Sequence, residues 1–192
     1  VEMEDGMEFV RGAKERGFVT SLAHTRATYA QFQEAKAAGL SHLTHFCNQM
    51  TGLHHREVGC VGAGLLDDEI MIEMICDTIH LCPDMIALVF KHKPVEQIML
   101  ITDSITASWM DDGEYIEGGL PVIVKDGQCR LESGALAGST LRFNDGLRNV
   151  REITGKSMAE LIRTTAWNQA QSLGLGDFGK IEPGFVADLV QL

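Results

Sequence analysis

Apolar runs alternate with amphipathic ones through the first hundred residues, and four of the apolar runs close on a histidine or an aspartate: His24, His45, His80 and Asp103. Residues 7–16 carry a helical pattern that Gly17 stops, and residues 18–24 follow as a strand. Thr28 and Gln31 stand at capping-box spacing and open a second helix that ends at Gly39. Residues 40–45 give the next strand. A strand, a helix and a strand joined this way lie parallel, because the helix carries the chain back across the sheet. The alternation therefore points to an α/β fold with parallel strands.

Residues 46–68 predict a loop, long against the usual two to about six residues of such connections and for that reason read as functional. Residues 70–79 fit either a strand buried on both faces or a helix, with Met71-Ile-Glu-Met-Ile75 at its heart. The strand reading is preferred because Pro83 opens a clear helix through His92. Residues 97–103 are the clearest strand, ending in Asp103. The pattern then changes. Asp112-Gly113, Gly118-Gly119 and Asp126-Gly127 punctuate β segments at 120–125 and 128–131, a hairpin excursion over about 112–135. Helices are predicted at 144–154, 157–165 and 168–173, and two short β segments around Pro183-Gly184 within 179–190.

The net charge of -11 argues against nucleic acid and anionic membrane as partners, since both require a basic face. A small phosphorylated ligand stays open, because one local arginine or histidine is enough to hold it. No window approaches the ~18 consecutive apolar residues of a membrane helix, and no signal peptide opens the chain. Five cysteines, odd in number and without CxxC spacing, predict reduced thiols and a cytoplasmic location. The first residue is Val1 instead of Met, so the chain is expected to have lost its beginning.

In parallel barrels the reacting groups sit where strands end. His24 and His45 are the best metal candidates, because neutral imidazole suits zinc and similar ions. Asp103 fits a general base near such a metal. His42 is expected to face away from His45 and to be structural. In the long loop His54 is assigned to solvent and Arg56 to a phosphate, the anion its guanidinium matches best. The small-residue turn Leu136-Ala-Gly-Ser-Thr-Leu141 is as well a plain turn as a place where backbone N–H groups meet a polar ligand. Cys47 is read as an apolar filler, and methionines 71, 74, 85 and 99 as core.

These residues resemble the N-acetylglucosamine-6-phosphate deacetylases of the amidohydrolase superfamily. The match runs through Ala-His24-Thr-x-Ala-Thr, Thr-His45-x-x-Asn48-x-Met, His-His-Arg56-Glu, Asp77-x-x-His80, Thr-Asp103-Ser, Leu136-Ala-Gly-Ser-Thr-Leu and Ile-x-Pro-Gly-x-x-Ala-Asp-Leu-Val. The resemblance implies the C-terminal half of a (β/α)8 TIM-like barrel over residues 1–174, with the hairpin excursion inserted. Residues 175–192 would then return into a small β-sandwich domain. It implies a divalent metal, zinc first with iron, manganese or cobalt compatible, held by His24 and His45. Asp103 would accept and donate the proton. Asn48, Gln49, Arg56, Asp77, His80, Leu136, Ala137 and Gly138 would hold the amino-sugar phosphate, in a homodimer whose phosphate site is shared. Gln49 stands where the family usually has Ala, and Thr78 and Ala23 where it usually has Gly; Cys47 departs as well. The family's further metal ligand, a Glu in a His-x-Glu-Gly-Pro context, does not occur here. Two readings compete with deacetylation of this sugar. One is another amidohydrolase reaction, on a different N-acetyl sugar or a cyclic amide. The other is a catalytically silent fragment, since catalytic zinc usually takes three protein ligands.

Overall fold

A computed structural model describes residues 1–191. Its first half is a four-stranded parallel sheet in the order β1 (Ser21–Leu22), β2 (His42–Leu43), β3 (Met71–Ile75), β4 (Ile98–Ile101). Ser21, His42 and Met71 stand in register across three strands, and Ile75 meets Ile101 at the far end. The helices α1 (Gly6–Glu15), α2 (Tyr29–Ala38), α3 (Gly59–Leu66) and α4 (Pro83–His92) alternate with these strands. The α/β expectation holds. The sheet has two free ends, so the barrel is not closed.

The strands are shorter than their apolar patterns predict, and the cause is local. His24, His45 and Asp103 have φ of 44°, 34° and 53°, and a left-handed residue cannot continue a strand. The expected strand over 70–79 stops at Ile75. Beyond it Asp77 Oδ1 accepts the Ile79 and His80 N–H groups, both at 2.8 Å, which folds the chain into an Asx turn. His80 is therefore a turn residue, not a strand end.

The capping box is present: Thr28 Oγ1 accepts the Gln31 N–H at 3.3 Å, and Gln31 Oε1 accepts the Thr28 N–H at 3.0 Å. Phe32, Ala35, Leu43, Phe46, Ile72, Met74, Ile86, Val89 and Ile98 are fully buried between helices and sheet. The region expected to be an unbroken loop contains α3, a correction with a packing cause. Its sequence, Gly-Cys-Val-Gly-Ala-Gly, has poor helix propensity and no amphipathic stripe. Burial selects it instead: a Cβ on Gly64 would meet Phe46 Cε2 at 2.6 Å and Leu43 Cδ1 at 2.7 Å. Only a bare backbone lets the helix lie so close beneath those two side chains.

After β4 the chain makes an antiparallel sheet of β5 (Gly113–Glu117), β6 (Leu120–Lys125) and β7 (Gln128–Leu131). The Asp-Gly turn falls where expected, with positive φ at Asp126 and Gly127. β5 adds a strand that the hairpin reading left out. A separate small core of Ala107, Val122, Val124 and Cys129 holds this sheet. The chain then returns through α5 (Phe143–Thr154), α6 (Met158–Leu161) and α7 (Trp167–Ser172). The expected helix over 157–165 changes to a 3-10 turn at Ile162–Thr165.

From α7 the side chain of Asn168 donates to the Val95 and Ile98 carbonyls at 2.7 and 2.8 Å, and that of Gln169 to the Leu100 carbonyl at 3.1 Å. The β segments expected within 179–190 are not strands among the described residues. Val186 N–H instead reaches back to the Asp177 carbonyl at 2.8 Å, and a strand pattern without a neighbouring strand has nothing to pair with. No helix of the described residues is long and apolar enough to cross a membrane.

The interior sets an alkaline stability profile. Burial pulls the Lys93 ammonium down to about 8 from 10.5, opposed by Asp67 and Asp68. Burial pushes the Cys60 thiol up to about 11 and the Cys47 thiol up to about 12 from 9.0, and raises Cys76 too. From pH 8 to 10.5 the unfolded lysine holds a proton that the folded one has lost, so this group raises stability with pH. Above 9.0 the folded thiols hold protons that the unfolded ones lose, and three such groups outweigh one lysine. Urea unfolding followed against pH is expected to show stability rising to a maximum near about pH 9 and then falling. Replacing Cys60 by Ala should flatten the descending limb, and an unchanged descent would contradict this assignment.

Candidate active site

His24 leaves β1 and His45 leaves β2, and their imidazole ring centroids lie 4.8 Å apart. That is close enough for one ion to meet a nitrogen of each. His45 is 7% exposed, and its Nδ1 is buried without a hydrogen-bond partner. A buried ring nitrogen left unpaired is costly unless something binds it. The pair thus fits a divalent metal as two of its ligands. Among the described residues no group of three or more His, Cys, Asp or Glu side chains converges, so a complete ligand set is not assembled here.

The two histidine loops are joined through Thr25. Its N–H donates to the Gln49 carbonyl at 2.8 Å, and Thr25 and Met50 form a parallel bridge. Asn48 folds its side-chain amide back onto the His45 and Phe46 carbonyls at 3.2 and 3.4 Å, which fixes the turn after His45. Gln49 is exposed with φ of 52°.

Asp103 is exposed, and its carbonyl accepts the Ser139 N–H at 2.9 Å. The Leu136–Gly138 turn is thereby held against the Asp103 strand end. A Cβ on Gly138 (φ 62°) would strike Ile105 Cγ2 at 2.2 Å, so glycine is required there. Leu136 and Ala137 pack on the β5–β7 side, with the Ala137 N–H on the Cys129 carbonyl at 3.0 Å. Asp77 and His80 form a buried pair, Oδ2 to Nδ1 at 2.6 Å. Burial works to raise the Asp77 carboxyl, but hydrogen bonds from the His80 ring and from the His80 and Ile79 N–H groups outweigh it and hold the group low. Arg56 stands at an exposed loop tip, with Nη1 against His55 Nε2 at 2.5 Å, while the His54 and His55 rings lie tilted to one another with centroids 4.2 Å apart. Glu57 ties that loop down by accepting the Tyr29 and Gly59 N–H groups at 2.9 and 3.0 Å.

His42 is buried, with Nδ1 against Ser41 Oγ at 2.7 Å; burial depresses its basicity and its Nε2 has no partner. Glu73 was not singled out from the sequence. It is half-buried on β3, and burial, opposed by a hydrogen bond with Thr44 and reinforced by the Asp103 charge, pushes its carboxyl up. The Phe46 N–H also ends on the Glu73 carbonyl, at 2.7 Å. A glutamate inside the run Met-Ile-Glu-Met-Ile was the available signal, since a charge there has to face something polar. Glu2 was missed too, because its contacts lie far along the chain. A hollow of about 830 Å³ beside α1, lined by Phe9, Ala13, Arg16 and Phe18 among others, involves none of these groups.

Thr78 carries φ of 66°, a left-handed conformation that a β-branched residue adopts only under strain. It is exposed beside the Asp77–His80 pair. Thr78→Gly should therefore stabilise the fold by about 1 kcal/mol, relief of strain exceeding the entropy that glycine adds to the unfolded chain. A lowered midpoint in thermal or urea unfolding would show that this turn is not strained.

A model of the amidohydrolase family matches residues 4–192. The N-acetylglucosamine-6-phosphate deacetylase of Lysinibacillus sphaericus is 40% identical over 189 residues, covering 98% of this chain and 49% of its own length. The N-acetylgalactosamine-6-phosphate deacetylase of Escherichia coli O157:H7 is 40% identical over 192 residues, covering 100% of this chain and 51% of its own. Among solved structures, the N-acetylglucosamine-6-phosphate deacetylase of Thermotoga maritima superposes with a TM-score of 0.91 at 43% identity, over 95% of this chain and 50% of that one. A mutant of the Mycobacterium smegmatis enzyme, in complex with N-acetyl-D-glucosamine-6-phosphate, superposes with a TM-score of 0.87 at 30% identity, over 91% and 47%. The chain thus spans about half the length of these relatives. With its strand-end histidines, its Asp103 and a family match over nearly all of its residues, the chain belongs to the amidohydrolase family.

Proposed function

We propose that the whole protein is a metal-dependent deacetylase that hydrolyses the acetamide of N-acetylglucosamine 6-phosphate, giving acetate and glucosamine 6-phosphate. The observation that carries this reading is the pair of imidazoles 4.8 Å apart, one with an orphaned buried nitrogen. When bound, a divalent metal would polarise the amide carbonyl and acidify water. His24 and His45 would supply two of its ligands. Asp103 takes the proton from the attacking water and returns it to the sugar nitrogen as the C–N bond breaks. The 136–138 turn, held to Asp103 by the Ser139 N–H, and Asn48, Gln49, Asp77 and His80 orient the sugar. Arg56 holds the phosphate; its exposure at a loop tip supports reach across a homodimer interface. Residues 175–192 lead into a second, β-rich unit.

A second reading rests on the 40% identity to a deacetylase of N-acetylgalactosamine 6-phosphate, equal to that of the first relative. Acetate release from both 6-phosphates and from unphosphorylated N-acetylglucosamine decides between them. Preference for the glucosamine epimer supports the proposal, and preference for the galactosamine epimer selects the second reading. No acetate from either 6-phosphate, with metal supplied, overturns both.

A further inference from the structure

We propose that Glu2 is a positioning residue of the metal site, acting on His24 through Thr25 and Arg26; this rests on the metal reading above. The carboxylate of Glu2 is bidentate toward the loop that leaves β1. Its Oε2 accepts the Thr25 hydroxyl at 2.9 Å and its Oε1 the Arg26 N–H at 2.9 Å. These are the two residues that follow His24 directly. The Thr25 hydroxyl is in turn the acceptor for the Ala27 N–H at 3.0 Å, and the Thr25 N–H is committed to Gln49 at 2.8 Å. Thr25 is 2% exposed, so water does not stand in for a lost partner there.

The need for such a clamp follows from the backbone. His24 holds φ of 44° on an exposed loop, a conformation an ordinary residue leaves unless its neighbours are fixed. His45 is buried and set by the Asn48 turn, whereas His24 is exposed, so the spacing of the two rings is decided on the His24 side. Thr25 is anchored by the Gln49 carbonyl on one side and by Glu2 on the other, which places it between the two histidine loops. A carboxylate suits the post, because it accepts from an O–H and an N–H at once and is bonded more strongly than a neutral acceptor. Gln can reproduce only one of the two bonds, since its amide N–H₂ would face the donor of the other.

The test is Zn²⁺ affinity of the intact protein, by competition with a chromophoric chelator. Glu2→Ala is expected to weaken binding about 10- to 100-fold, the usual cost of losing a group that holds a metal ligand in place. Glu2→Gln should fall between. Thr25→Val removes the hydroxyl half of that connection, and the double variant should lose less than the sum of the two single ones. Glu96→Ala, which removes the Arg163 ion pair elsewhere, serves as a stability control and should leave the affinity unchanged. Should Glu2→Ala fail to fold, Glu2→Gln and Thr25→Val carry the measurement. Wild-type affinity in the Glu2 and Thr25 variants, or additive losses in the double variant, overturns the proposal while the metal site stands. A wild-type protein that binds no divalent ion overturns the metal reading instead.

Discussion

Asp103→Asn is expected to lower kcat for acetate release by about 10²- to 10⁴-fold, the contribution of a positioned proton acceptor and donor. KM should change little, because the amide has nearly the shape of the carboxylate. The variant should also fold. The Asp103 backbone sits at φ of 53°, a conformation asparagine tolerates as well as any side chain with a Cβ. Its structural contact is the carbonyl that accepts the Ser139 N–H, which the substitution leaves alone. A steady-state comparison of the intact protein with the variant, at equal metal content, measures this. Unchanged kcat would remove Asp103 from the chemistry; a large rise in KM with kcat preserved would make it a binding residue.

Phe46→Ala should cost about 3–5 kcal/mol of folding free energy, the range for emptying a buried aromatic site. Against a typical total of about 5–15 kcal/mol, this is enough to depopulate the native state on mild warming. The ring is fully buried, and it lies against α3 so closely that Gly64 has no room for a Cβ. Nothing nearby collapses easily into the space, because the facing helix is built of small residues and the Phe46 N–H is pinned to the Glu73 carbonyl at 2.7 Å. Urea unfolding measures the loss, and a cost under about 1 kcal/mol would mean that the site repacks. Metal affinity should fall with it, since Phe46 follows His45 directly.

What the sequence made legible was local. The Thr28–Gln31 capping box, the Gly39 stop, the Pro83 start and the Asp126-Gly127 turn act within a few residues, and each stands where its spacing places it. The polar residues that close the apolar runs were legible as local patterns, although His24, His45 and Asp103 stand two residues past their strands. Most of the rest depended on distant partners. Helix α3 hides in a glycine-rich run, since burial beneath Leu43 and Phe46 overrides a poor helix propensity. His80 was read as a strand end because the Asp77 side chain that turns the chain early leaves no mark in hydrophobic periodicity. The surroundings of Glu2 and Glu73 are made by Thr25, Thr44 and Asp103, none of them a sequence neighbour, and a charge count does not distinguish such a glutamate from a solvated one.

The two ends of the parallel sheet are unlike in what they offer a newcomer. At β4 the carbonyls of Ile98 and Leu100 already have donors in Asn168 and Gln169. At β1 the neighbour among the described residues is β2, and Phe18 and Val19, just ahead of the strand, are exposed. The β4 margin is thus closed from within the chain, by two side-chain amides of one helix standing where the N–H groups of a strand would be.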